Sequence, residues 1–159
     1  MSKDDAAVET GRTMVITRTI QAPRSTVWST WVDPEILPQW WGPDGFTCRT
    51  SRIDLRSGGE WVFDMIAPDG TVFPNHHLYS EICPEDRIAY TLLWGENGPK
   101  HADAVVTMED RSQATEVTIA MTFVSPDEYE TARKNGAVEL GQQTLGKLEA
   151  TVMRTRQPS

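Results

Sequence analysis

The sequence predicts an α+β fold in which a curved, seven-stranded antiparallel sheet wraps around one long C-terminal helix. Strand-like segments with short separators fill the middle of the chain, and the last segment carries a single apolar stripe at helical spacing. Grouped strands with short connections are typical of α+β folds, in which sequence neighbours pair in the sheet. The sheet must cover one apolar face, and the terminal helix is the only long element available to cover it.

The chain opens with one strand and two short helices. Met14–Ile20 is rich in β-branched residues and ends next to an Ala-Pro breaker, which predicts a strand. The proline suits a first helical turn, and aromatic and apolar residues follow at helical spacing, so a helix is predicted over Ser25–Val32. A second short helix over Pro34–Gln39 is expected to deliver the pair Trp40-Trp41.

From residue 46 onward apolar and polar residues alternate, which is the period of a half-covered antiparallel strand. The separators have turn composition, as in Ser57-Gly58-Gly59 and Pro68-Asp69-Gly70. Six further strands are predicted: Phe46–Ile53, Glu60–Ala67, Thr71–Ile82, Arg87–Trp94, Ala102–Asp110 and Thr115–Phe123.

The last segment predicts a helix over residues 126–153. Ser125 can cap its first turn, because a proline and then Glu128 follow in the spacing of a capping box. Asn135-Gly136 is expected to interrupt or kink the helix. Beyond this point the residues at spacings of three and four predict a stripe buried against the sheet: Val138, Gly141, Leu145, Leu148 and Val152.

Composition limits the classes of function. The 159 residues fit one domain, predicted over residues 13–156 after a flexible tail at 1–12. A formal net charge of −8 disfavours a nucleic-acid partner and an anionic membrane surface. The two cysteines lie in no CxxC pattern and the N-terminus has no apolar signal core, so we expect a soluble, cytoplasmic protein.

Several strings in a fixed order carry a family resemblance. They are Pro34-x5-Trp40-Trp41-Gly42-Pro43, Gly58-Gly59-x-Trp61-x-Phe63-x-Met65, Pro68-Asp69-Gly70-Thr71, Tyr79-x-Glu81-Ile82-x-Pro84-x-Asp86-Arg87-Ile88 and Val106-Thr107-Met108-Glu109-Asp110. Together, from about residue 14 to 153, the chain resembles the bacterial homologues of the activator of the heat-shock-protein-90 ATPase, within the SRPBCC (START-like) superfamily. The resemblance implies a helix-grip fold that is hollow between the sheet and the terminal helix.

Two positions depart from this pattern. Relatives often carry Gly-Trp in the terminal helix, where this chain has Gly141-Gln142. They also often have a small residue in the fourth strand, where this chain has His76-His77. The first change removes an aromatic ring from near the cavity, and the second can bring an imidazole to it. The superfamily includes carriers, cyclase-type enzymes and chaperone activators, so the fold leaves the chemistry open.

Candidate cavity residues are the aromatic and apolar side chains on inward strand faces, together with the inward stripe of the terminal helix. Adjacent residues cannot share a face, so one of Trp40 and Trp41 is expected to pack inward and the other to line the cavity. Gly141 serves either close contact between helix and sheet or space for a ligand. The candidates are Trp40, Trp41, Trp61, Phe63, Met65, His77, Tyr79, Tyr90, Leu92, Trp94, Met121, Phe123, Gly141, Thr144, Leu145 and Leu148.

The histidine pair does not predict a metal site. On a strand His76 and His77 face opposite ways, and only His77, Tyr79 and Glu81 are expected to share a face. No metal-binding motif, nucleophile elbow or phosphate-binding loop occurs, so neither a metal nor a cofactor is predicted. His77 is either a hydrogen-bonded strand residue, a polar contact for a ligand, or a general acid or base.

The sequence therefore predicts a domain that binds an apolar, aromatic or lipid-like small molecule in an internal cavity. One alternative is an enzyme that uses the same cavity for cyclisation, dehydration or hydrolysis, with His77 and Tyr79 as acid and base candidates. Another, implied by the family resemblance alone, is a module that interacts with a chaperone. We expect binding without turnover. Whether the protein forms a homodimer stays an open question.

Overall fold

The computed structural model describes residues 11–156, with side chains described to Arg154. Seven antiparallel strands form one open sheet in the order β1-β7-β6-β5-β4-β3-β2. The predicted tail falls mostly outside the described residues, and Arg12 already bonds to the backbone of Phe123. The strands are β1 (Thr13–Ile20), β2 (Thr47–Asp54), β3 (Glu60–Ile66), β4 (Val72–Cys83), β5 (Arg87–Leu93), β6 (Lys100–Asp110) and β7 (Thr115–Phe123).

Four helices complete the chain: α1 (Arg24–Trp31), α2 (Leu37–Trp40), α3 (Pro126–Lys134) and α4 (Ala137–Arg156). The predicted cap is confirmed, since the Ser125 hydroxyl accepts a hydrogen bond of 3.1 Å from the Glu128 N–H. The predicted interruption is also present, because Gly136 adopts a φ of +81°, which suits a residue without a Cβ atom. Within residues 11–156, none of the helices combines the length and apolar character needed to cross a bilayer.

The predicted fold is confirmed: an α+β helix-grip with two short helices after β1 and one long helix across the sheet. Sequence neighbours pair throughout β2 to β7, and β7 then pairs with β1, which brings the two ends of the chain together. The helix covers the apolar sheet face, where Leu145, Leu148 and Val152 are fully buried. The aromatic residues of α1 are buried as well, so α1 seals one end of the same core.

The register places side chains in rows across the inner face of the sheet. One row runs through Trp61, His77, Leu92, Ala102 and Phe123, because each residue pairs with the next on the neighbouring strand. A second row, one pleat further along, contains Tyr79, Tyr90, Ala104, Met121 and Met14. These two rows form the floor of the space between the sheet and the C-terminal helices.

Val138 does not belong to the buried stripe that the sequence predicts. Its side chain is 37% exposed, whereas the neighbouring Ala137 packs against the core. Val138 lies seven residues before Leu145, on the same side of α4, and Leu145 is fully buried. The predicted spacing is therefore that of the buried side, and Val138 differs because it stands in the first turn of α4, at the end of the helix.

Glu81 is a second correction. The register of β4 against β5 shifts between Tyr79 and Glu81, so the extra residue Ser80 forms a bulge. A bulge reverses the alternation beyond it, and Ile82 rather than Glu81 continues the inner face with Tyr79. Glu81 instead pairs with Arg87 on the opposite face, so the predicted grouping of His77, Tyr79 and Glu81 is wrong.

Candidate functional site

A pocket of about 200 Å³ lies between the inner face of the sheet and the junction of α3 with α4. Side chains from six of the seven strands, from the loop after α2 and from both C-terminal helices form its walls. Most of them are aromatic or aliphatic, which makes the pocket predominantly apolar. The lining residues are Met14, Ile16, Trp41, Gly42, Pro43, Met65, Asn75, His77, Tyr90, Leu92, His101, Ile119, Met121, Phe123, Ala132, Ala137, Leu140, Gly141 and Thr144.

The candidate residues from the sequence divide into three groups. Those that line the pocket are Trp41, Met65, His77, Tyr90, Leu92, Met121, Phe123, Gly141 and Thr144. Those that are buried in the surrounding core are Trp40, Trp61, Phe63, Tyr79, Leu145 and Leu148. Trp94 belongs to neither group. It follows the end of β5, is 45% exposed, and packs its ring 4.2 Å from the ring of His101.

Trp40 and Trp41 have different surroundings although they are adjacent. Trp40 is fully buried, and its indole N–H donates a hydrogen bond of 3.1 Å to the Thr30 carbonyl. Trp41 follows the last residue of α2 in an extended conformation, which turns its ring toward the sheet. The ring lies 5.5 Å from His77 and 6.5 Å from Tyr90, so Trp41 is the pocket wall opposite the floor.

The loop that follows Trp41 is fixed to both the sheet and α4. The Lys147 ammonium group donates hydrogen bonds of 3.2 Å to the carbonyls of Pro43 and Phe46. The Cys48 thiol contacts the Trp41 carbonyl at 3.4 Å. Burial raises the pKa of this thiol to about 12, against a smaller opposite effect of Lys147, so Cys48 stays protonated and unreactive. These contacts hold the Trp41 wall in place.

His77 is the most unusual polar group of the pocket. Its side chain is 2% exposed, and no hydrogen bond joins its imidazole to another residue within the described part of the chain. Aromatic rings surround it: Tyr90 stacks on it at 4.3 Å, and the edges or faces of further rings lie within about 6 Å. Those rings belong to Trp41, Trp61, Phe63 and Tyr79.

The apolar surroundings keep His77 neutral. Burial lowers its pKa to about 3, and the neighbouring His76 adds a smaller effect in the same direction. Burial also raises the pKa values of Tyr79 and Tyr90, because the phenolate form would lose its hydration. Imidazole and both phenols are therefore uncharged at neutral pH, and the pocket offers neutral hydrogen-bonding groups.

His76, the adjacent residue, points to the other face of the sheet and is fully satisfied. Its Nδ1 atom accepts a hydrogen bond of 3.1 Å from the Asn97 N–H, so the proton resides on Nε2. Nε2 in turn donates to the Glu60 carboxylate at 2.8 Å. His76 fixes the β5–β6 loop to β3, a structural role that its neighbour does not share.

His101, on β6, also lines the pocket. Its Nδ1 atom is 3.3 Å from a carboxylate oxygen of Glu128 but forms no hydrogen bond with it. Burial lowers the pKa of His101, and the Glu128 charge opposes this effect. The pair joins β6 to the first turn of α3 by charge attraction when the imidazole is protonated.

Gly141 is where α4 comes closest to β1. A Cβ atom at this position would overlap the terminal methyl group of Ile16, which is itself buried and lines the pocket. The absent side chain therefore permits close contact of helix and sheet, and it also leaves the space beside Ile16 open. Both alternatives raised for this glycine are compatible with the geometry.

Sequence reasoning missed ten lining residues. The apolar ones on β1 and β7, such as Ile16 and Ile119, share the alternation of ordinary core residues. Asn75 and His101 had no apolar signal at all, and Asn75 is revealed only by pairing directly with Phe63. Among residues 11–156, no group of three or more His, Cys, Asp or Glu side chains is arranged to hold a metal ion.

The fold and the interior pocket define a START-like domain of the helix-grip class. Residues 21–153 match the family model described as Activator of Hsp90 ATPase homolog 1-like protein, and the chain belongs to this family. The family and its fold are those of ligand-binding or chaperone-related domains.

Solved structures support the same fold. A protein from Nitrosomonas europaea is 26% identical, with 92% of this chain and 97% of that chain covered and a TM-score of 0.80. One from Arthrobacter aurescens is 24% identical, with 92% and 88% covered and a TM-score of 0.83. An AHSA1-like protein from Aeromonas hydrophila is 18% identical, with 92% and 99% covered and a TM-score of 0.68. No curated protein matches the chain in sequence.

Proposed function

We propose that this protein binds a small apolar molecule in the pocket between the sheet and α4, as a cytoplasmic binding or carrier domain. The observation that carries the proposal is a pocket with aromatic and aliphatic walls that includes the buried imidazole of His77, which has no hydrogen-bond partner among the described residues. Ligand sites of this kind are mostly apolar, with a few polar groups that fix orientation. The net charge of −8 disfavours a nucleic-acid partner.

The volume supports a compact ligand. Apolar cavities of about 150 Å³ are large enough to hold benzene. At about 200 Å³, the pocket suits a one- or two-ring aromatic compound or a short acyl group better than a complete lipid. Naphthalene is a suitable first probe because it has two rings and no polar group.

Binding without turnover is favoured over catalysis by the charges around the pocket. No Asp or Glu occurs among the buried polar residues that the structure describes, so a paired acid and base is missing from its interior. A neutral His77 with a pKa of about 3 is a weak base at pH 7, far from the pKa that suits proton transfer. A chaperone-related role rests on family membership alone.

Tryptophan fluorescence tests the proposal. Naphthalene should produce a saturable change, because the Trp41 ring forms one wall of the pocket. Trp41→Phe should remove most of that change, whereas Trp94→Phe is the matched control and should retain it, since Trp94 lies outside the pocket. If the native protein gives neither a saturable signal nor chemical-shift changes in pocket residues, the proposal is wrong.

A further inference from the structure

The described lining of the pocket has no acidic side chain, and its only basic side chains are histidines. None of the nineteen described residues that line the pocket is Lys, Arg, Asp or Glu. Lys147, on α4, is engaged with the carbonyls of Pro43 and Phe46 in the loop wall. Glu128, on α3, faces His101. An anionic group placed inside would therefore be buried without a cation to pair with it.

Two polar groups of the lining are already occupied within the protein. The Thr144 hydroxyl donates to the Leu140 carbonyl at 3.1 Å, and the Asn75 amide donates to the Phe73 carbonyl at 2.8 Å. His77 and the Tyr90 hydroxyl have no hydrogen-bond partner among the described residues, although both side chains are at least nine-tenths buried. Their rings stack 4.3 Å apart, so they form one adjoining pair on the pocket floor.

Polar atoms that face a pocket lose their hydrogen bonds to water when a ligand fills it, and this costs free energy unless another partner replaces the water. A ligand could supply it. A hydroxyl group both donates and accepts, so it can bond to either tautomer of a neutral imidazole and also to a phenol. A carboxylate accepts only and carries a charge that this environment does not neutralise.

We infer that the pocket selects an uncharged aromatic ligand that carries a hydroxyl group, with the hydroxyl bonded to the His77–Tyr90 pair, and that it rejects carboxylates of the same size. This inference rests on the proposed function, which it narrows to a class of ligand. The low pKa of His77 agrees with it: only about one imidazole in 10⁴ is protonated at pH 7, so His77 does not act as a cation for an acid.

Three probes with the same two rings test the inference at pH 7.5 by calorimetry: naphthalene, 2-naphthol and 2-naphthoate. We expect 2-naphthol to bind about 3- to 10-fold more tightly than naphthalene, which is the range for one net hydrogen bond. We expect 2-naphthoate to bind at least about 10-fold more weakly than 2-naphthol, because its charge must be buried without a partner. In His77→Phe, the advantage of 2-naphthol should vanish while naphthalene still binds.

A measurement on the native chain covers the case in which His77→Phe does not fold. The ¹⁵N resonances of the His77 ring should shift with 2-naphthol and not with naphthalene. Those of His76, bonded on the opposite face, should stay in place and serve as the internal control. Tyr90→Phe, which removes a single oxygen atom, should reduce the ratio of the affinity for 2-naphthol to the affinity for naphthalene.

The outcomes separate the two proposals. If naphthalene binds but 2-naphthol binds no more tightly, or leaves the His77 resonances in place, the inference is overturned and the proposed function stands. Equal binding of 2-naphthoate and 2-naphthol overturns the inference in the same way. If none of the three probes binds, the proposed function itself fails.

Discussion

The two halves of α4 lie against the same sheet and have different surroundings. In the C-terminal half, Leu148 and Val152 are fully buried in the continuous core. In the N-terminal half, Leu140 is 38% exposed, and Gly141 and Thr144 border the pocket. One half of the helix seals the sheet and the other half covers a pocket.

The difference has a local cause. Large aliphatic side chains on the C-terminal half fill the volume between helix and sheet. On the N-terminal half the inward positions hold Ala137, Gly141 and Thr144, which are small, so the volume beneath them is filled only in part. A single helix can therefore provide stability at one end and a binding site at the other, and substitutions should separate the two roles.

The largest expected effect is on stability, at the C-terminal half. Leu148→Ala should lower the free energy of unfolding by about 2–5 kcal/mol, because it removes buried methyl groups from a closely packed core. The matched control is Leu140→Ala, the same change on the N-terminal half, which should cost less than about 1 kcal/mol. Urea denaturation measures both, and equal losses would show that the two halves pack alike.

The next largest effect is the dependence of stability on pH, which comes from His77 on the floor of the pocket. His77 has a pKa of about 3 in the folded protein and an ordinary value of 6.5 when unfolded. Below pH 6.5 the unfolded chain therefore binds a proton that the folded chain refuses. The contribution of His77 to the free energy of unfolding is fully present above pH 6.5. It falls as the pH decreases, by about 1.4 kcal/mol per pH unit, or by about 2 kcal/mol in total at pH 5.

His77→Phe isolates this effect. The lowered pKa of His101 acts in the same direction, so only the difference between native and variant protein belongs to His77. Denaturation between pH 5 and 7.5 should show a slope smaller by about one proton in the variant. Identical slopes would mean that His77 is hydrated or paired in solution.

Most of the fold could be predicted from the sequence because it depends on local patterns. Alternation and turn residues fixed all seven strands to within two residues, and the capping box fixed the start of α3. The errors arise where a single residue changes the phase of the alternation between inward and outward side chains. The bulge at Ser80 turned Glu81 outward, and the end of β5 left Trp94 on the surface.

The site was less predictable than the fold. Alternation identifies which side chains face inward, but it cannot distinguish a side chain that fills the core from one that borders a hollow. Phe63 and Met65 occur on the same strand face, and only Met65 reaches the pocket. That distinction depends on where α4 and the loop after α2 sit above the sheet, which is set by contacts between residues distant in sequence, such as Gly141 with Ile16 and Gly42 with Met65.

The smallest stability effect, and the sharpest test of the comparison, comes from two glycines of α4. In Gly146→Ala the new methyl group meets only the Arg18 guanidinium, at an ordinary contact distance of 3.9 Å. The substitution should stabilise the protein by about 0.5–1 kcal/mol, because alanine favours a helix over glycine. Ligand binding should not change, since Gly146 does not line the pocket.

In Gly141→Ala the new methyl group overlaps the end of the Ile16 side chain. Ile16 is buried, and the pocket is the open space beside it, so its terminal methyl group is expected to move there. The gain in helix propensity offsets much of the cost of overpacking, and stability should stay within about 1 kcal/mol of the native value. Affinity for naphthalene should nevertheless fall about 5- to 10-fold, because the new and the displaced methyl groups both occupy the ligand's space. Unchanged affinity in this variant, measured beside Gly146→Ala, would mean that ligands bind elsewhere than under the N-terminal half of α4.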